Sequence, residues 1–177
     1  MSAETATPGA EGPGRATEDD LRFMARAVAM AREGERTRGA SPIGCVVVLD
    51  GRIVAEGHNE VGLRHDPTAH AETVAIRRAC AALEQDDLRG ATLYSTLQPC
   101  GMCTMATIWS GIGRIVYGAG RDDVHRMYFE DRHLDTMNFI RDAYRDTEVI
   151  AGVMRDEVVG LYWGPDDEPP VEEQANI

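Results

Sequence analysis

Two short motifs thirty residues apart constrain this chain more than anything else in it: His70-Ala71-Glu72 and Pro99-Cys100-Gly101-Met102-Cys103. Cys100 and Cys103 stand i,i+3, so at the opening of a helix both sulfurs fall on one face and can bite one metal ion. A helix N-terminus also presents unpaired N–H groups and the positive end of the helix dipole, which favours the metal-binding thiolate. His70 and Glu72 stand i,i+2, and in mid-helix they would diverge by roughly 200°. They are therefore read end-on, at the first turn of another helix, with His70 as ligand and Glu72 directed toward a metal-bound water. One imidazole, two thiolates and a carboxylate not needed as a ligand are the inventory of a zinc site with one open position, and an open position means catalysis.

Other readings of the pieces fit less of the pattern. A thioredoxin-like redox pair also carries Cys-x-x-Cys but needs no upstream His-x-Glu. A structural zinc knuckle would want a fourth Cys or His at short spacing. Cys45 sits in the apolar run 43–49 and Cys80 in an Ala-rich helical stretch, so both read as small core residues. His58, His65, His125 and His133 form no ligand spacing and read as surface or loop residues, His58 being set apart by adjoining Asn59.

At 177 residues and 43% hydrophobic content, the chain has length for one domain with a real core. A net charge of −12 opposes polyanions, so a nucleic-acid partner is disfavoured. Four cysteines without a disulfide framework suit a reducing compartment. With no long apolar run and no basic-then-apolar leader, the expectation is a cytoplasmic protein without membrane contact. Residues 1–16 and 164–177 lack apolar periodicity, the latter being acidic and proline-rich, and both are expected to be mobile tails flanking a folded domain over 17–163.

Within that domain, Thr17 followed by Asp20 reads as a helix start, with Leu21, Met24, Val28 and Ala31 on one face. Residues 43–49 and 52–57 read as strands joined by the turn Asp50-Gly51, and 59–67 as a loop. Thr68 is expected to cap the helix bearing His70 and Glu72. Strand 91–95, the Cys100–Cys103 helix and strand 114–117 follow, then helical spacing over 134–144, a β-branched stretch 148–153 and a last helix 154–163. A helix between the fourth and fifth strands makes them parallel. The expected fold is α/β: a three-layer α/β/α sandwich around a five-stranded mixed sheet.

From Gly39 to about Tyr162 the chain resembles the zinc-dependent cytidine deaminase-like superfamily, in the branch holding guanine, cytosine and tRNA adenosine deaminases. The resemblance is carried by Pro42-Ile43-Gly44, Gly57-His58-Asn59, Asp66-Pro67-Thr68-Ala69-His70-Ala71-Glu72 and Leu97-Gln98-Pro99-Cys100-Gly101-Met102-Cys103. Members usually carry Glu or Ser where this chain has Gln98. The resemblance implies one Zn2+ per chain on His70, Cys100 and Cys103, with Glu72 as proton shuttle in hydrolytic deamination of a nucleobase. It also implies substrate contacts from Asn59, Ala71 and the backbone N–H of Cys100. Glu130 or Asp131 would contact a purine, since the family pattern aligns with either, and Trp163 would close over the base or sit in the core. Asn59 also reads as a loop turn residue, and Glu130 and Asp131 as a solvated acidic loop. The segments 108–111, 118–124 and 129–131 look like bacterial guanine deaminases, which makes guanine to xanthine the first reading. Gly57-His58-Asn59 and Cys103-Thr104 look like cytosine deaminases, so cytosine or a nucleoside (cytidine, guanosine, adenosine) is the alternative, and a tRNA adenosine substrate the more distant one. A homodimer, with the Cys-bearing helix near the interface, is likewise implied.

Overall fold

The computed structural model describes residues 15–129 and 136–170. In chain order its elements are α1 (Glu18–Arg36), β1 (Ser41–Leu49), β2 (Arg52–Asn59), α2 (Val61–Arg64), α3 (Ala71–Leu83), β3 (Thr92–Leu97), α4 (Gly101–Trp109), β4 (Arg114–Ala119), α5 (Thr136–Arg141), β5 (Glu148–Ile150) and α6 (Arg155–Val158). The strands form one five-stranded sheet in the order β2-β1-β3-β4-β5. β1 runs antiparallel to β2 and β3, whereas β3–β4 and β4–β5 are parallel, as the intervening helices require. Asp50 and Gly51 have φ of 50° and 70°, the two positive values that a type I′ hairpin turn demands.

Strand alternation sorts the core into two faces. Cys45, Val47, Leu93 and Ile115 pack with Ala71, Ala75, Ile76 and Ala79 of α3. Val46, Val48, Tyr94 and Val116 pack with Phe23, Met24 and Ala27 of α1. The sheet is thus covered on both sides, the three-layer α/β/α arrangement. On the α1 side the approach is close: a Cβ on Gly44 would lie 2.0 Å from the Ala27 carbonyl oxygen, so only glycine fits there.

Local details differ from the sequence expectation. Thr17 and Asp20 do cap α1 reciprocally, but Leu21 is 47% exposed. The buried slot in that turn belongs to Asp20, whose carboxylate accepts from Tyr94 Oη (2.9 Å) and from both terminal nitrogens of Arg114 (2.6 and 3.0 Å). Thr68 does not cap α3. Its N–H and hydroxyl both donate to Asp66 Oδ1, and His70 occupies the N-cap. The expected loop over 59–67 contains the single turn α2, and β2 runs on to Asn59. The last helix is shorter than expected: α6 is one turn, followed by a 3-10 turn Val159–Leu161, after which Tyr162 turns inward to hydrogen-bond Thr96.

No helix among the described residues is long and apolar enough to cross a membrane. The expectation of a mobile N-terminal tail falls almost wholly on residues 1–14, outside the described ones, as do 171–177 of the expected C-terminal tail. Of the rest of that tail, Gly164 N–H bonds the Asp167 carboxylate in a short turn.

Candidate active site

Both motifs sit at helix tips on the α3 and α4 side of the sheet. His70 is the N-cap of α3 and Cys100 the N-cap of α4, each with extended backbone, and neither side chain caps its own helix. The two side chains turn toward each other instead. His70 Nδ1 lies 3.6 Å from Cys100 Sγ and 3.6 Å from Cys103 Sγ, and the three ligand atoms all fall within 4.8 Å of one another. Zinc bonds of about 2.05 Å to nitrogen and about 2.3 Å to sulfur, at tetrahedral angles, set N and S about 3.6 Å apart. The cluster therefore fits one tetrahedral zinc with three protein ligands and a fourth position for another group. Among the described residues, Cys45 and Cys80 do not join it.

The hydrogen bond from the Cys103 thiol, helped by His70, holds Cys100 down to about 4 against the opposing effect of burial. The same bond, together with burial, pushes Cys103 well up. Glu72, in the first turn of α3, is 4% exposed, and burial pushes its carboxyl above the ordinary value. Ser95 of β3 donates to Glu72 Oε1 at 3.3 Å. A buried carboxylate beside such a cluster can accept a proton and return it. Cys45 lies fully buried close to Glu72, and burial followed by the Glu72 charge pushes its thiol up, so it stays a protonated core residue.

Asn59 is 1% exposed at the end of β2. Its Oδ1 accepts from Val61 N–H at 3.1 Å, an Asx turn, while its Nδ2 has no hydrogen-bond partner among the described residues. The turn reading of Asn59 thus holds for the oxygen and leaves the donor end open. The Glu60 N–H bonds the Ala69 carbonyl at 2.8 Å, which fastens this end of β2 to the residue before His70. Ala71 is wholly buried at the first position of α3. Trp163 is half-buried, packs against the core, and with Pro42, Met127, Tyr128 and Tyr162 lines a cavity of about 690 Å³. Its N–H donates to Tyr128 Oη and its carbonyl accepts from His125 N–H. Glu130, Asp131 and His133 lie outside the described residues. His58, set apart from the other histidines by adjoining Asn59, is the exception to the surface-or-loop reading: it is buried, with Nδ1 3.0 Å from the Asn59 carbonyl oxygen.

Several polar residues around the site escaped sequence reasoning. Tyr162 donates to Thr96 Oγ1 at 2.6 Å, and Thr96 Oγ1 in turn accepts from Gly44 N–H at 3.0 Å. Gln98, Thr104 and Thr136 form a buried group behind Pro99. The available signal was Tyr94-Ser95-Thr96, polar side chains on both faces of a strand that must be buried on both faces.

Residues 17–119 match the family described as the cytidine and deoxycytidylate deaminase zinc-binding region. A guanine deaminase of Bacillus subtilis (strain 168) is 42% identical over 109 residues, 62% of this chain and 70% of that protein. A tRNA-specific adenosine deaminase of the same organism is 35% identical over 150 residues, 82% of this chain and 86% of that protein. Among solved structures, guanine deaminase from Nitrosomonas europaea superposes with a TM-score of 0.71 at 28% identity, covering 80% of this chain and 81% of the other.

Proposed function

The chain belongs to the cytidine and deoxycytidylate deaminase family, as a zinc-dependent deaminase, and on that premise we propose that it hydrolyses the exocyclic amine of a free nucleobase, guanine to xanthine plus ammonia. The observation that carries the reading is the buried Glu72 carboxylate beside the His70, Cys100 and Cys103 cluster, with the unpartnered Asn59 Nδ2 at the adjoining end of β2. An orphaned buried donor costs about 1–3 kcal/mol unless a ligand acceptor satisfies it, as a base edge would.

Zinc, when bound to His70, Cys100 and Cys103, supplies the Lewis acidity that makes water a nucleophile near neutral pH. Glu72 takes a proton from the attacking water and passes it to a ring nitrogen, then takes the remaining proton of the added hydroxyl and delivers it to the leaving amino group; ammonia departs and a carbonyl remains. Asn59 Nδ2 donates to the base edge, and the Cys100 N–H to the oxygen forming at the reacting carbon. Ala71 contributes to the wall beside the base, Trp163 closes over its face, and Glu130 or Asp131 accepts from purine N–H groups.

A net charge of −12 favours a free base over RNA, because phosphate contacts supply most nucleic-acid affinity. The second reading, an adenosine within tRNA, draws on the 82% of this chain that aligns with the Bacillus tRNA deaminase. We also assign a homodimer. Trp109 at the end of α4 is 73% exposed, and Tyr144, 64% exposed, lines a surface hollow of about 400 Å³ with Met105, Ile108 and Phe139.

Ammonia release measured over guanine, guanosine, cytosine, cytidine, adenine and adenosine tests the substrate. The reading expects guanine to lead. A tenfold higher kcat/KM on cytosine or on any nucleoside ends the purine reading and leaves the deaminase standing.

A further inference from the structure

Gln98 directly precedes the Pro99-Cys100 turn, and the structure gives it a directional task. Its Oε1 accepts from the Arg121 N–H at 2.9 Å, which fixes its Nε2 toward Thr136 Oγ1, 3.4 Å away. With that lone pair engaged, the single hydroxyl proton of Thr136 goes to the Pro99 carbonyl oxygen at 2.7 Å. Thr104 approaches the same carbonyl at 3.3 Å and Thr136 Oγ1 at 3.5 Å, so its proton is divided between them. All three side chains are at least nine-tenths buried.

The acceptor they converge on belongs to the peptide whose other end is the Cys100 N–H. That peptide is trans, so C=O and N–H point in opposite directions across one rigid plane. No acceptor for the Cys100 N–H occurs among the described residues. Hydrogen bonds on a carbonyl strengthen the N–H of the same amide as a donor, and they do so more in a low-dielectric interior.

We propose that Gln98, Thr136 and Thr104 are positioning residues that clamp and polarise the Pro99–Cys100 peptide, holding the Cys100 N–H as a donor to the oxygen that develops on the substrate. The chain of donors runs one way, from Gln98 Nε2 through the Thr136 hydroxyl and the Pro99 carbonyl to the Cys100 N–H. A glutamate at 98 would offer Thr136 only acceptors and turn its proton away from Pro99. Gln98 and Thr136 are thus a matched pair, and α5 is tied through them to the metal-binding turn. The inference rests on the deaminase reading for the role of the Cys100 N–H; the clamp itself stands on geometry.

The test uses zinc-loaded full-length protein and the variants Thr136→Val, Thr136→Ser and Gln98→Glu, with two readouts. The first is kcat and KM for the best base in the ammonia panel, alongside zinc content. Thr136→Val and Gln98→Glu are expected to lose about tenfold in kcat, less than the roughly 10²–10³-fold that removal of an oxyanion donor costs, with KM within about twofold and zinc unchanged. Thr136→Ser is expected to restore most of the rate. The second is the ¹⁵N shift of the Cys100 amide, which is expected to move in Thr136→Val and Gln98→Glu and to stay in Thr136→Ser. Unchanged kcat and an unmoved amide in Gln98→Glu overturn the proposal whether or not Thr136→Val folds, and so does a rate loss that merely tracks loss of zinc. If the amide shift moves as expected but the wild-type protein releases ammonia from none of the bases, the clamp is upheld and the free-base reading is what fails.

Discussion

The Ser95 hydroxyl meets the Glu72 carboxylate across 3.3 Å, linking the strand that leads into the Cys100 turn to the helix that begins at His70. The carboxylate assigned to proton transfer is therefore held by the sheet and not only by its own helix. Replacing Ser95 with Ala removes one buried hydrogen bond, of the order of 1 kcal/mol. We expect kcat to fall about fivefold with zinc retained and Ser95→Thr close to wild type, as steady-state kinetics with metal analysis will show.

Glu72→Gln should fold and bind zinc normally, because Glu72 is not one of the three atoms that fit the ion. Turnover should drop by the roughly 10²–10⁴-fold that general acid–base help contributes. Normal ammonia release by this variant, or loss of its metal, would remove Glu72 from the role.

Elemental analysis should find about one zinc per chain in wild type and in Cys80→Ala and Cys45→Ala, and little in His70→Ala or Cys103→Ala. A working protein that carries no zinc, or one with a Cys100–Cys103 disulfide, would contradict this.

Asp20 is buried, and although burial alone would raise its carboxyl, Arg114 with help from Thr17 and Tyr94 holds it well below the usual carboxylate range. A depressed folded-state pKa contributes stability that is present above the unfolded value of about 4 and is lost as pH falls through the folded one. Asp20→Asn should cost about 1–3 kcal/mol at pH 7, the range for buried hydrogen bonds to charged groups, because Arg114 keeps its Nε bond to Glu148 at 2.7 Å. Urea titrations of the two proteins should converge as pH falls below about 4, and a gap that widens in acid would refute the assignment.

Sedimentation should show a species of twice the 19.4 kDa chain mass, and Trp109→Glu should shift it toward monomer. A wild-type protein running only at 19.4 kDa would count against the dimer.

What could be read from the chain alone was whatever depends on near neighbours. The Cys100–Cys103 spacing, the end-on pairing of His70 with Glu72, the Asp50-Gly51 turn and the parallel fourth and fifth strands each follow from a few consecutive residues or from one crossover rule. Partners supplied by topology were not readable. Gln98 and Thr136 are 38 positions apart, Thr96 and Tyr162 66, and Asp20 and Arg114 94, and no local pattern announces them. The misread Thr68 has the same origin. A threonine ahead of a helix is a good cap by type, but the chain spends that hydroxyl on Asp66 and leaves the cap to a histidine whose ring is engaged with sulfur from another helix.

The meeting of the α3 and α4 tips has a consequence outside chemistry. His70 and Cys100 bracket twenty-nine residues comprising all of α3 and β3, and an ion gripping both ends ties that stretch into a closed ring. An ion bound by the folded chain and not by the unfolded one adds its binding energy to the folded side. A cell short of zinc would therefore lose this protein as molecules and not only as activity, because chains without the ion would unfold and be cleared instead of waiting intact for metal to return.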